Sequence, residues 1–157
     1  MHCPACGHEF IEQNIDQVTL HVCDNGCGGV WLSWHDLSKF NEPIEPAQTP
    51  LMIHKSENCI FSTSPQYGCP HCTNIMMIRR YVRVLDEVVI DECPSCGGIW
   101  VNGDDLDDIF NQFELDLKEW SDPREDDPKS DDTIHRNQRF TNACRFLWSS
   151  YGLTQTK

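Results

Sequence analysis

The chain has 157 residues, with 25 acidic side chains against 12 basic, 39% apolar residues and ten cysteines. That length holds one compact domain or two very small ones, and no apolar run approaches the ~20 residues of a membrane helix. The opening MHCPACGHEF lacks the charged, apolar and small-residue regions of a secretory signal, so a cytoplasmic protein is expected, in which cysteine spacing reports metal or thiol chemistry rather than a disulfide framework.

The acidity is uneven. Residues 1–40 carry net −4 and residues 114–132 net −6, whereas residues 133–157 hold four bases and no acid. Nucleic-acid affinity comes largely from Lys and Arg displacing counterions. Generic nucleic-acid binding is therefore disfavoured, with the basic tail as the one place where it stays open.

From the N-terminus, CPAC at Cys3 and Cys6 is followed by CDNGCGGVW, which supplies Cys23 and Cys27. The pattern returns as CPHC at Cys69 and Cys72 and CPSCGGIW at Cys93 and Cys96. Aligned on the last cysteine, Gly28, Gly29, Val30, Trp31 and Leu37 meet Gly97, Gly98, Ile99, Trp100 and Leu106, so the chain is a tandem duplication. Between the paired cysteines, Val18, Leu20 and Val22 alternate in the first copy, and Val88 and Ile90 take the matching places in the second. Each unit reads as knuckle, hairpin, knuckle.

This arrangement suits Zn²⁺, which has no preferred d-electron geometry and takes four soft thiolates in a tetrahedron. Eight knuckle cysteines imply two Zn²⁺, with iron as the alternative occupant. Roughly 40 residues per unit is a size at which burial alone seldom offsets chain entropy, and ~10 to 16 kcal/mol of zinc binding fills that gap. A four-thiolate site is closed to water and substrate, which argues against an enzyme.

A helix start follows each second knuckle. Ser33 with Asp36, and Asn102 with Asp105, have the spacing of a capping box. Leu106, Phe110, Phe113, Leu117 and Trp120 continue the second as an amphipathic stripe that stops before Pro123; the first, with Leu37 and Phe40, ends before Pro43. The expected divisions are a first unit over 1–40, a proline-containing linker over 41–68, a second unit over 69–120, an acidic linker over 121–132 and a basic aromatic helix or tail over 133–157.

The CPxC, hairpin, C(x2 or x3)CGG[VI]W pattern resembles the transcription-factor-B-type zinc-finger family, small zinc ribbons found in many prokaryotic proteins. The resemblance implies two tandem ribbons, a small metal-stabilised α+β fold with a helix after each and one at the C-terminus. Residue by residue it places the ligands on Cys3, Cys6, Cys23, Cys27, Cys69, Cys72, Cys93 and Cys96, and by name alone it implies transcription. Two departures stand out: the extra residue between Cys23 and Cys27, and Thr73 where glycine usually follows the first knuckle. CPACG and CPSCGG are also similar to rubredoxin knuckles, which keeps an iron electron-transfer protein as the rival reading.

Other residues carry competing uses. Cys59 and Cys144 lie outside the repeat and read as ordinary buried or free thiols. His2, His8, His21 and His71 stand near knuckles and suit solvent or outer roles. Trp31 and Trp100 read as core, and Arg79, Arg80 and Arg83 as partners for the acids of their own unit. In the tail, Phe140, Cys144, Leu147 and Tyr151 share a helical face. Arg136, Arg139, Phe140, Leu147 and Trp148 are accordingly the candidate residues for docking a protein partner, with fold-back onto the acidic units as the even alternative. The composite expectation is a non-enzymatic zinc-binding adaptor.

Overall fold

The computed structural model describes residues 1–42, 44–60, 66–81, 89–108 and 131–155. Strands β1 (Ile11–Ile15) and β2 (Val18–Val22) form an antiparallel hairpin whose turn places Asp16 in the left-handed region, at φ 52°. Val18, Leu20 and Val22 are all buried, as their alternation requires when one face of the strand meets a core. After β3 (Val30–Leu32) comes helix α1 (Trp34–Leu37), continued by a 3₁₀ turn over Ser38–Asn41. The second copy supplies β4 (Ile78–Tyr81), β5 (Val89–Glu92), β6 (Ile99–Val101) and helix α2, described over 103–108. Helix α3 (Asp131–Gln155) closes the chain.

The six strands form one antiparallel sheet in the order β1-β2-β3-β6-β5-β4. The two copies thus meet edge to edge. Trp31 lies opposite Trp100, Val30 opposite Val101 and Leu32 opposite Ile99, a register that treats the copies equivalently. Pairing β3 with β6 removes two edges that would otherwise present unpaired backbone groups.

Strand alternation divides the interior in two. On one face Val30, Leu32, Ile99 and Val101 join Leu20, Val22, Leu37, Phe40 and Ile90. Helix α3 covers this face with Phe140, Ala143, Cys144, Phe146 and Leu147; the Phe40 and Phe146 rings lie 5.3 Å apart and tilted by 55°. On the other face Trp31 and Trp100 pack with Phe10, Met77 and the knuckle cysteines. Folding back is therefore the arrangement α3 adopts, and Phe140 and Leu147 give their surface to the core.

The caps form with local variations. Ser33 Oγ accepts from the Asp36 amide at 3.2 Å and donates to Asp36 Oδ2 at 2.7 Å. Asp36 also accepts from the Thr19 amide at 3.1 Å and Lys39 Nζ at 2.7 Å, so it ties α1 to β2. At α2, Asn102 Oδ1 accepts from the Asp104 amide at 2.7 Å. Of the stripe expected through Trp120, only Leu106 falls within the described residues, and it is buried. Phe110, Phe113, Leu117 and Trp120, with most of the acidic run, lie outside them.

The segment after Ala47 is threaded between β1 and α3. Leu51 N donates to Ser150 O at 3.1 Å, Ser150 Oγ donates to Thr49 O at 2.7 Å, and Met52 N donates to Gln13 Oε1 at 3.0 Å. Leu51 is fully buried.

Candidate metal centres

Each first knuckle is a turn closed by its own backbone. Cys3 N donates to His8 O at 2.8 Å and Gly7 N to Cys3 O at 2.9 Å, while Ala5 N points at Cys3 Sγ at 3.3 Å. In the second unit Cys69 N donates to Ile75 O at 2.8 Å and Cys72 N to Cys69 Sγ at 3.2 Å. The second knuckles repeat the design: Cys23 N to Gly29 O and Cys93 N to Gly98 O, both at 2.9 Å. Gly7, Gly28 and Gly97 take φ between 70° and 77°, where a side chain would be strained. Thr73 is accommodated because the left-handed residue of that turn moves one place on, to Asn74 at φ 59°; asparagine tolerates that region better than a β-branched residue.

The knuckles bring the eight predicted cysteines into two groups of four. Within each, the sulfurs of Cys3, Cys6, Cys23 and Cys27, or of Cys69, Cys72, Cys93 and Cys96, all lie within 4.8 Å of one another. Cys6–Cys23 and Cys3–Cys27 stand at 3.3 and 3.4 Å, and Cys69–Cys96 at 3.8 Å. Four sulfurs at ~2.3 Å from a central ion would be about 3.8 Å apart, so both groups fit a tetrahedral thiophilic metal. Amides aimed at Cys3, Cys69 and Cys93 suit ligands that carry negative charge.

Crowding sets the thiol chemistry. Hydrogen bonds from Cys27 and Cys3 pull the Cys23 thiol down to about 2, and in turn Cys23 pushes Cys3 up to about 12 and Cys27 further up. Burial pushes Cys69 and Cys96 up, whereas backbone amides and the neighbouring thiols outweigh burial and bring Cys93 down. A divalent ion entering either cage must displace the protons its thiols still hold.

Paired glycines lock the copies together beneath the cages. A Cβ on Gly29 would sit 2.2 Å from Trp100 Cζ2, and one on Gly98 would sit 2.3 Å from Trp31 Cζ2. The second glycine of each Cys-Gly-Gly thus makes room for the other copy's indole. Trp31 and Trp100 are 1% and 0% exposed, which places them in the core. The knuckle glycines are covered reciprocally: Trp34 packs on Gly97, and the stem of Lys55 lies over Gly28.

The remaining candidates fall as follows. Arg79 pairs with Asp91 at 3.5 Å and Arg80 with Glu92 at 3.1 Å, each across the β4–β5 ladder, while Arg83 lies outside the described residues. Cys144 is buried in the α3 core, where burial pushes its thiol up to about 12. Arg139 donates to Asn41 Oδ1 at 2.6 Å and stacks 4.3 Å over the Trp34 ring. Trp148 packs partly buried against the core. Arg136 lies on α3, its side chain outside the described part. His71 Nδ1 is 3.7 Å from Cys72 Sγ, and the His21 ring stands 6.4 Å from Phe10. His8 and Cys59 come together with Cys6, all three donor atoms lying within 4.8 Å of one another. By sequence alone Cys59 reads as an ordinary thiol; the signal that points to it is the extra residue in CDNGC, on whose loop the Cys59 segment is seated.

Two four-cysteine cages, each gripped by two knuckles at the foot of a β-hairpin, define a tandem zinc-ribbon protein. The profile of the transcription factor zinc-finger family, of the TFIIB zinc-ribbon type, matches residues 2–42 and 68–112. That is more than half of the chain and both copies, and the chain belongs to this family. No curated protein and no solved structure matches it. Among the described residues no helix is long and apolar enough to cross a membrane.

Proposed function

We propose that this protein is a non-enzymatic, zinc-stabilised adaptor whose ribbons form a single rigid platform for a protein partner, in a transcription-associated setting. The observation that carries the reading is the closure of both cages: each takes four thiolates from its own unit and leaves no coordination position for water or substrate. The metal then serves the fold. The continuous sheet supports a platform, because β3–β6 pairing fixes the outer strands β1 and β4 relative to each other.

Exposed apolar side chains on and near β4, Met76, Ile78 and Tyr81, offer a surface of the kind partners bury. Pairing of Arg79 and Arg80 with Asp91 and Glu92 favours a protein over a nucleic-acid partner, since those guanidinium groups are already engaged. Affinity capture by the zinc-loaded chain, beside an Ile78→Asp, Tyr81→Asp variant of equal stability, tests the adaptor reading. The expected outcome is a stoichiometric protein retained by the first and lost by the second; no reproducible partner would overturn it. Colour separates the metals: a colourless protein with two zinc ions supports the scaffold, and a red protein with about one iron per cage supports electron transfer.

A further inference from the structure

Among the described residues, the first cage has two further donors, Cys59 and His8, grouped with one of its sulfurs, whereas the second has His71 alone beside Cys72. Cys59, from the segment between the ribbons, lies with its sulfur within 4.8 Å of Cys6 Sγ and a ring nitrogen of His8. In the second unit the position of His8 is taken by Asn74, which offers no such ligand.

The backbone builds this neighbourhood deliberately into the chain path. The extra residue lengthens the Cys23–Cys27 knuckle to a loop of Asp24, Asn25 and Gly26, and the Cys59 segment docks on it. Asn25 N donates to His54 O at 2.7 Å, Ser56 N donates to Gly26 O at 2.9 Å, and Gly26 and Lys55 form a parallel bridge. Asp24 Oδ1 accepts from the His54 amide at 2.7 Å. Lys55 Nζ donates to Gly103 O at 2.7 Å and pairs with Asp107. A turn closed by Cys59 N to Ser56 O at 3.2 Å then delivers the thiol to Cys6. Gly26 must be glycine here, since a Cβ would stand 2.5 Å from Cys23 Sγ and 3.2 Å from the His8 ring.

Exposure orders the donors. Cys3, Cys23 and Cys27 are buried, Cys6 and Cys59 half-buried and His8 exposed, so Cys6 is the cage's solvent-side sulfur. A thiolate has lone pairs for two ions. Four thiolates around one divalent ion leave a net charge of −2, which favours a second cation at this edge, one that would displace the Cys59 proton on binding.

We propose that the first ribbon holds a two-ion thiolate cluster: an inner ion on Cys3, Cys6, Cys23 and Cys27, and an outer thiophilic divalent ion on Cys59, His8 and a shared Cys6. The outer ion keeps a fourth position open to solvent and is the exchangeable one, while the second ribbon holds a single ion. This rests on the cages being metal sites.

The full chain, stripped of metal under reductant, is loaded with excess cadmium and passed over a desalting column containing a weak carboxylate chelator. Three cadmium ions per chain are expected, falling to two in Cys59→Ala and in His8→Ala with unchanged circular dichroism. Cadmium NMR should show two mutually coupled resonances, from the shared sulfur, and one uncoupled; the coupling vanishes in Cys59→Ala. This readout on the unaltered chain needs no variant to fold. Two ions per chain without coupling, or three retained in Cys59→Ala, would overturn the outer site while leaving the cages intact. Fewer than two would remove the cages themselves, and the outer site with them.

Discussion

If the two ribbons are one body, an added methyl beneath one cage must be felt by the other copy. Gly29→Ala is the sharpest such perturbation. Its φ lies outside the left-handed region, so alanine brings no backbone strain, and the whole effect is steric. The new Cβ would stand 2.2 and 2.3 Å from Trp100 Cζ2 and Cη2 and 3.0 Å from Val101 O. Restoring ordinary contact requires the indole to withdraw by about 1.2 Å, in an interior where Trp100 is fully buried. Overpacking of this kind costs ~1–3 kcal/mol, and for a chain of this size each kcal/mol moves Tm by ~2–4 °C. The expected loss is therefore about 2–12 °C, measured by thermal unfolding at one saturating zinc concentration, because metal binding itself shifts the midpoint. Gly68→Ala is the matched control, since its Cβ would meet nothing within 4 Å. A Trp100→Phe background removes the ring atoms that clash, so Gly29→Ala should cost less there, with a coupling of ~0.5–3 kcal/mol. Equal behaviour of Gly29→Ala and Gly68→Ala would refute the joined sheet, as independent ribbons place no foreign indole over Gly29.

Four other outcomes follow from the same geometry. Chelation of zinc should abolish the circular dichroism of both ribbons, and reloading should release protons from Cys3 and Cys27, so affinity falls as pH is lowered; pH-stat titration during loading reads this directly. Leu147→Ala opens the α3 core and should cost ~2–5 kcal/mol by denaturant unfolding, against little for a helix that packs elsewhere. Burial, with Asp108 and Asp91 adding to it, pushes the Asp105 carboxyl up to about 6. The folded chain thus takes up a proton that the unfolded chain does not, and stability should rise as pH falls from about 7 to about 5. Asp105→Asn should flatten that rise and add on the order of 1 kcal/mol at neutral pH, measured by chemical unfolding with metal saturated. Asp36 has the opposite sign: burial opposes its charge, but Lys39, Ser33 and Thr19 outweigh it and hold the carboxyl low. Its contribution is lost as pH drops through the acid range, and Asp36→Ala should cost ~1–2 kcal/mol at neutral pH.

Paired knuckles, hairpins, caps and the identity of the eight cage cysteines were legible in the sequence because each depends on spacing within a few residues or on a motif repeated in the chain. Val18, Leu20 and Val22 announce a strand that is buried on one face wherever that strand ends up. Ser33 and Asp36 announce a helix start before any tertiary contact exists. The extra residue in CDNGC was visible as a departure, but its use was not.

By itself, then, the amino-acid order determined local geometry and the grouping of the thiols: where the chain turns, and which cysteines converge on sites that fit a thiophilic metal. Tertiary structure alone decided that β3 and β6 pair, that Gly29 and Gly98 receive each other's tryptophans, that α3 packs on the shared sheet, and that Cys59 arrives beside Cys6. The physical reason is range. Knuckles and caps are set by contacts close along the chain and each cage within one copy of the repeat, whereas edge pairing and the filling of a glycine's empty space are fixed only by complementary shapes in different copies.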